Sequence, residues 1–213
     1  MISKLHYITQ GNSPEAHLNH LENACRFGAD WIQLRMKQFE TIVVLETAKK
    51  AREITRLYGA RLIINDFYEI AKAVEADGVH LGQTDACPKK VRSVLGTDFI
   101  IGGTANSLEH CKTLLEKNID YIGLGPYRYT TTKTKLEPLL GISGYSTILQ
   151  KLNTDVPVIG IGGITTKGLS ALLNTGLHGV AVSGEITKDF SAITAFQSKL
   201  YKELSPAFNT KKN

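Results

Sequence analysis

Gln33, Arg35 and Lys37 alternate in the segment WIQLRMK, and two aspartates, Asp66 and Asp85, each follow an apolar run. A spacing of two is the period at which strand side chains share a face. Arginine offers a planar fork and lysine a compact charge, so on one face the two suit a phosphate or diphosphate. A solvated strand end is the competing reading. The stretch from Leu62 to Asp85, LIINDFYEIAKAVEADGVHLGQTD, reads as strand, short helix, strand. A right-handed βαβ crossover makes those strands parallel and leaves their carboxyl ends on one side. Asp66 and Asp85 then become neighbours. Paired carboxylates suit Mg²⁺, which takes one or two of them and completes its shell with water and substrate phosphate. Each aspartate could instead cap the helix that follows it.

Other polar residues fall at the ends of apolar runs. Asn65 and Gln83 extend the rim around the two aspartates, and His80 lies within its strand, either as a packed core histidine or as part of the site. Gly102-Gly103-Thr104-Ala105-Asn106 reads as a small-residue turn carrying a hydroxyl, able to meet an oxyanion or to cap a helix. The segment GPYRYTTTKTKLEP holds Thr130, Thr131, Thr132 and Lys133. Polar loops of that length are usually functional or disordered. Gly163 in GIGGI and Ser183-Gly184 in VSG place small residues where backbone amides can approach an anion. These residues together ask for two phosphorylated groups, one near Arg35, Lys37 and the carboxylates, the other near Gly163, Ser183 and Gly184.

The elements that must position them alternate regularly. Strand-like runs begin at Leu5, Trp31, Leu62, Gly78, Phe99, Tyr121, Val156 and Gly179, and a helical pattern follows each. Ser13-Pro14 starts the first helix, Thr41 is expected to cap the second, Gly96 to stop the fourth, and the later helices are expected over Thr165 to Thr175 and Ser191 to Leu204. Eight such cycles in a chain of 213 residues match the small end of the (β/α)₈ barrel. We therefore expect an α/β protein, a single TIM barrel over residues 1–205, with a basic tail at 206–213. In that fold, residues just after the strands carry chemistry and turns leading into strands carry stability. The repeated entries GADWIQ, EADGVHLG, NIDYIGLG and GLHGVAVSG belong to the second group.

Composition narrows the class. The chain is 42% hydrophobic and 21% charged, with 19 glycines, which is ordinary for a globular protein. Its net charge of +5 has no Arg-rich run with interleaved aromatics behind it, so nucleic acid is not an expected partner. Mild positive charge suits phosphorylated small molecules. Cys25, Cys87 and Cys111 form no CxxC pair, and inert thiols are expected. No run of 18 apolar residues and no signal-like apolar core occurs, so no membrane is expected and a cytoplasmic location is. Nothing excludes a homo-oligomer.

The segments QLRMK, IIND, ADGVHLGQTD, YIGLGPYRYTTTKTK, GIGGIT and VSG, in that order and spacing, resemble the thiamine phosphate synthase family over almost the whole chain. The resemblance implies condensation of 4-amino-2-methyl-5-(diphosphooxymethyl)pyrimidine with a thiazole monophosphate, giving thiamine phosphate and diphosphate through a dissociative, carbocation mechanism. It implies that Gln33, Arg35, Met36, Lys37, Asn65 and Thr104 line the pyrimidine diphosphate, with Asp66 and Asp85 holding Mg²⁺. Thr130, Thr131, Thr132, Gly163, Ser183 and Gly184 would meet the thiazole phosphate, and Arg35, Lys37 and Lys133 would be the catalytic cations. Met36 replaces a common acidic residue and is expected to face away from the mouth. Thr104 stands for a serine, and Gly184 for another. The nearest alternatives are a thiazole tautomerase, which lacks the metal carboxylates, a sugar-phosphate epimerase, and a barrel that binds thiamine-pathway ligands without catalysis.

Overall fold

The computed structural model describes residues 1–129 and 138–201. Eight parallel strands close into a barrel in chain order: β1 (Leu5–Ile8), β2 (Trp31–Leu34), β3 (Arg61–Asn65), β4 (Gly78–Leu81), β5 (Ile100–Ala105), β6 (Tyr121–Leu124), β7 (Val158–Ile161) and β8 (Gly179–Val182). Closure is made by β8 pairing with β1, Tyr7 opposite Val182. The helices are α1 (Pro14–Arg26), α2 (Thr41–Leu57), α3 (Tyr68–Ala73), α4 (Pro88–Leu95), α5 (Leu108–Leu115), α6 (Gly141–Leu152), α7 (Leu169–Leu173), α8 (Gly184–Lys188) and α9 (Ala192–Tyr201). The (β/α)₈ architecture expected from the sequence is the one found.

Local chemistry explains where the elements start and stop. Ser13 Oγ accepts the Ala16 amide and Pro14 opens α1, a position where a missing N–H costs nothing. Val44, Thr47, Ala48, Ala51 and Thr55 form the buried stripe of α2, recurring at the helical period. Gly96 ends α4 at φ 84°, a conformation open to glycine.

Four expectations shift. Thr41 is the first residue of α2 rather than its cap, and Glu40 holds the cap position without a side-chain bond. Gly102 to Ala105 belong to β5 and are not a turn. α7 is short because Gly168, at φ 82°, delays its start. The last helix is two: Asp189 is extended and accepts both the amide and the hydroxyl of Ser191, which breaks α8 from α9. Residues 202–204 of the expected helix and the 206–213 tail lie outside the described residues.

Strand periodicity sorts side chains into two cores. Trp31, Ile63, Tyr121, Ile159 and Ala181 fill the barrel interior. Ile32, Leu34, Ile64, Val79, Ile101, Ile122 and Val180 point outward and pack under the helices. At the end where strands begin, one device recurs. Asp77 accepts the Leu62 amide and the Arg52 guanidinium, and Asp120 accepts the Ile101 amide and the Arg92 guanidinium. Each aspartate thereby ties a strand entry to the preceding strand and to the helix that leads into that strand, the stabilising role expected of that face. Among the described residues no helix is long and apolar enough to cross a membrane.

Candidate active site

The parallel strands bring the predicted residues to one mouth. On β2, the alternation that turns Trp31 inward carries Gln33 and Arg35 inward as well; Gln33 is 3% exposed and Arg35 half-buried. Burial lowers the affinity of the Arg35 guanidinium for its proton, against the opposing pull of Asp66. Lys37 is exposed and reaches across to β3, where its Nζ lies 2.8 Å from Asp66 Oδ2. Met36, at 2% exposure, belongs to the outer core under the helices. Its side chain faces away from the mouth, so any contact it makes there must come from its backbone.

The Arg35 backbone is held by residues that sequence reasoning missed. Its amide donates 3.2 Å to Thr9 Oγ1, and that hydroxyl lies 2.8 Å from His17 Nδ1. Burial pulls His17 down to about 4. A neutral imidazole can therefore accept the Thr9 proton while Thr9 oxygen accepts the Arg35 amide.

Asp66 sits at the end of β3 with φ 67°, and its amide donates to the His80 carbonyl at 2.9 Å. Neither aspartate caps a helix. Phe67 is the cap residue of α3 and Cys87 that of α4, while Asp85 Oδ2 accepts the Gly82 amide at 2.6 Å and so closes its own turn. Asp66 Oδ1 is buried and receives no donor among the described residues. Burial raises the Asp66 carboxyl above its ordinary range and the neighbouring Asp85 carboxyl raises it further, against Lys37. Asp85 is held below its range: burial pushes it up, but its hydrogen bonds to Asp66 and the Gly82 amide outweigh that. Two carboxyls in this relation share a proton or a cation. Among the described residues no group of three or more His, Cys, Asp or Glu could hold a metal. A two-carboxylate set with one unclaimed oxygen fits a hard cation that keeps its waters and takes phosphate oxygen.

Asn65, 5% exposed, presents a buried Nδ2 with no partner among the described residues. Behind it, His80 bridges two strands, its Nδ1 2.9 Å from the Tyr121 hydroxyl and its Nε2 2.8 Å from Thr104 Oγ1. Burial raises the Tyr121 phenol strongly, so it remains a donor. In the neutral ring one nitrogen carries the proton, so His80 donates to one of these two hydroxyls and accepts from the other. His80 is thus packed, as the core reading expects, and in contact with the Thr104 hydroxyl. Gly102 makes room for this, since a Cβ there would stand 2.1 Å from the Tyr121 ring. Inward alternation from Tyr121 could have found this partner in the sequence. Gln83 is exposed.

Across the mouth, Gly163 is in the left-handed region at φ 66°, and Ser183 and Gly184 follow β8. The amides of all three donate to no acceptor among the described residues. Gly163 lies beside the root of the polar loop, where Tyr127 N–H donates to the Ile161 carbonyl at 2.8 Å and Arg128 N–H to that of Gly162 at 3.1 Å. Thr130, Thr131, Thr132 and Lys133 lie outside the described residues. Gln10, just past β1, was not anticipated; its Oε1 accepts the Ser183 hydroxyl at 3.3 Å. Cys25 and Cys111 are buried as expected of inert thiols, whereas Cys87 is exposed.

Comparison with known proteins agrees with this arrangement. A family model described as thiamine monophosphate synthase matches residues 5–186. The thiamine-phosphate synthase of Flavobacterium johnsoniae is 45% identical over 191 residues, covering 88% of this chain and 90% of that protein. That of Flavobacterium psychrophilum is 41% identical over 206 residues, covering 94% and 100%. Among solved structures, thiamine phosphate pyrophosphorylase from Pyrococcus furiosus superposes with a TM-score of 0.82 at 28% identity, over 95% of this chain and 97% of that one. A profile match spanning most of the barrel, joined to relatives similar over nearly their full lengths, establishes that this chain is an enzyme of the thiamine monophosphate synthase family.

Proposed function

We propose that this enzyme joins 4-amino-2-methyl-5-(diphosphooxymethyl)pyrimidine to 4-methyl-5-(2-phosphooxyethyl)thiazole, releasing diphosphate and forming thiamine phosphate, with Mg²⁺ held by Asp66 and Asp85. The observation that carries this reading is the carboxylate pair beside Lys37, with the buried Asp66 Oδ1 unclaimed among the described residues. A bound Mg²⁺ supplies positive charge to the leaving diphosphate oxygens. Arg35 and Lys37 add to that charge from β2, and Lys133 from the loop after β6. Asn65 Nδ2 and the Thr104 hydroxyl orient the pyrimidine, while Gln33 closes the floor beneath it.

The chemistry is dissociative. The bond between the pyrimidine methylene carbon and the diphosphate oxygen breaks, its electron pair leaves with the diphosphate, and the aminopyrimidine spreads the charge of the resulting cation. The thiazole nitrogen then donates its lone pair to that carbon. No base is needed at the nitrogen, which is consistent with a mouth of cations, amides and hydroxyls. Gly163, Ser183 and Gly184, with Thr130 to Thr132, fix the thiazole through its phosphate on the opposite side. The carboxylate pair favours this over a tautomerase reading. The test is one assay with both substrates and Mg²⁺. Thiamine phosphate and diphosphate should form in equal amounts and stop with EDTA, whereas thiazole phosphate binding without diphosphate release would leave only a ligand-binding barrel.

A further inference from the structure

We propose that Gln10 is a direct ligand of the phosphate held at Gly163, Ser183 and Gly184, donating from its side-chain Nε2; this rests on the functional reading above.

Gln10 lies just past the end of β1, and β1 pairs with β8, so the two strand ends adjoin where the barrel closes. The Ser183 hydroxyl donates to Gln10 Oε1 at 3.3 Å. With Oε1 placed on that hydroxyl, the amide nitrogen is turned away from Ser183. Nε2 is left as a two-proton donor with no partner among the described residues. The backbone at Gln10 is fixed too, since its carbonyl accepts from His20 Nδ1 at 2.7 Å.

The position of Nε2 matters because of what Gly184 lacks. A Cβ placed on Gly184 would meet nothing closer than the two terminal atoms of Gln10, both at 3.9 Å. The amide of Gln10 therefore borders the space in which a side chain at 184 would stand. The amides of Gly163, Ser183 and Gly184 donate to no acceptor among the described residues, and a neutral N–H donor from a side chain adds a fourth to the set. A phosphate with three acceptor oxygens can use all four. Gln10 also commits the Ser183 oxygen lone pairs, rather than its proton, to the site.

Steady-state kinetics on the full chain with Mg²⁺ test the contact. Gln10→Ala should raise KM for the thiazole phosphate by about tenfold, as expected for losing one hydrogen bond to a charged group, and leave KM for the pyrimidine diphosphate unchanged. Gln10→Glu keeps the acceptor for Ser183 but replaces the donor with negative charge, so its effect should exceed that of alanine. Gly184→Ser in the Gln10→Ala background returns a hydroxyl to the same space, at a glycine without a left-handed backbone, and should recover most of the loss. An unchanged KM in Gln10→Ala, an equal rise for both substrates, or no recovery with Gly184→Ser would overturn a direct contact. If the wild-type protein makes no thiamine phosphate, the functional reading fails instead. Calorimetric titration of wild type and Gln10→Ala with the thiazole phosphate then decides the contact by itself.

Discussion

Lys37 Nζ rests 2.8 Å from Asp66 Oδ2, joining the end of β2 to the end of β3 across the barrel mouth. The lysine is 42% exposed and the aspartate 15%, so the pair is a half-wet contact that can open when an anion offers Lys37 a better partner. Asp66 cannot move with it. Its left-handed backbone and the hydrogen bond from its N–H to the His80 carbonyl hold the backbone that carries the carboxylate.

Asp66→Asn should therefore abolish Mg²⁺-dependent turnover while the protein stays folded. Asparagine tolerates the left-handed region that alanine would strain, and it removes a buried charge. Turnover and thermal melting measured together check this. Asp85→Ala should also stop turnover, and should cost about 1 kcal/mol of stability because the Gly82 amide loses its acceptor. Wild-type rates in EDTA equal to those in Mg²⁺ would remove the metal from the account.

Lys133→Ala should lower turnover far more than it lowers the melting temperature. The residue lies outside the described structure, and the prediction comes from the threonine and lysine pattern of its loop. Diphosphate release at the wild-type rate would take Lys133 out of the site.

The His80 bridge predicts a different pattern. Tyr121→Phe removes the hydroxyl that His80 Nδ1 contacts, a buried hydrogen bond whose loss costs about 1–3 kcal/mol. It also removes one of the two contacts that hold the ring against Thr104 Oγ1. KM for the pyrimidine diphosphate should rise while that for the thiazole phosphate stays fixed. If both KM values match wild type while stability falls, the bridge is structural alone.

Acid should weaken the fold through two buried histidines. Burial holds His6 at about 3 and His17 at about 4, both below their ordinary value of 6.5. Between those limits the unfolded chain binds more protons than the folded one, so stability falls as pH drops. This contribution is fully present above pH 6.5 and is lost progressively as pH falls through the folded values. Urea midpoints measured from pH 7.5 to 4.5 should decline, and His17→Gln should flatten part of that decline.

Much of the site was legible without coordinates because strand alternation is local. Residues 33, 35 and 37 share a face by their spacing alone, and Met36 between them turns into the outer core as expected. Eight βα cycles with short turns leave a closed parallel barrel as the compact arrangement, so the strand ends bearing Asp66, Asp85, Gly163 and Ser183 had to meet. Local cues failed where a boundary depended on backbone geometry, as in the late start of α7 at Gly168 and the run of β5 through its glycines.

What the tertiary structure alone decided are contacts across large sequence separations. Gln10 and Ser183 are 173 residues apart, Tyr121 and His80 are 41 apart, and Thr9 and Arg35 are 26 apart. Periodicity says which face a side chain takes, but not which strand end stands beside it or how far each strand is offset around the barrel. Closure of β8 onto β1 and the register between strands settle that. They turn Asp66 from a plausible helix cap into a carboxylate with one buried oxygen free among the described residues, and they bring an unanticipated glutamine to the rim.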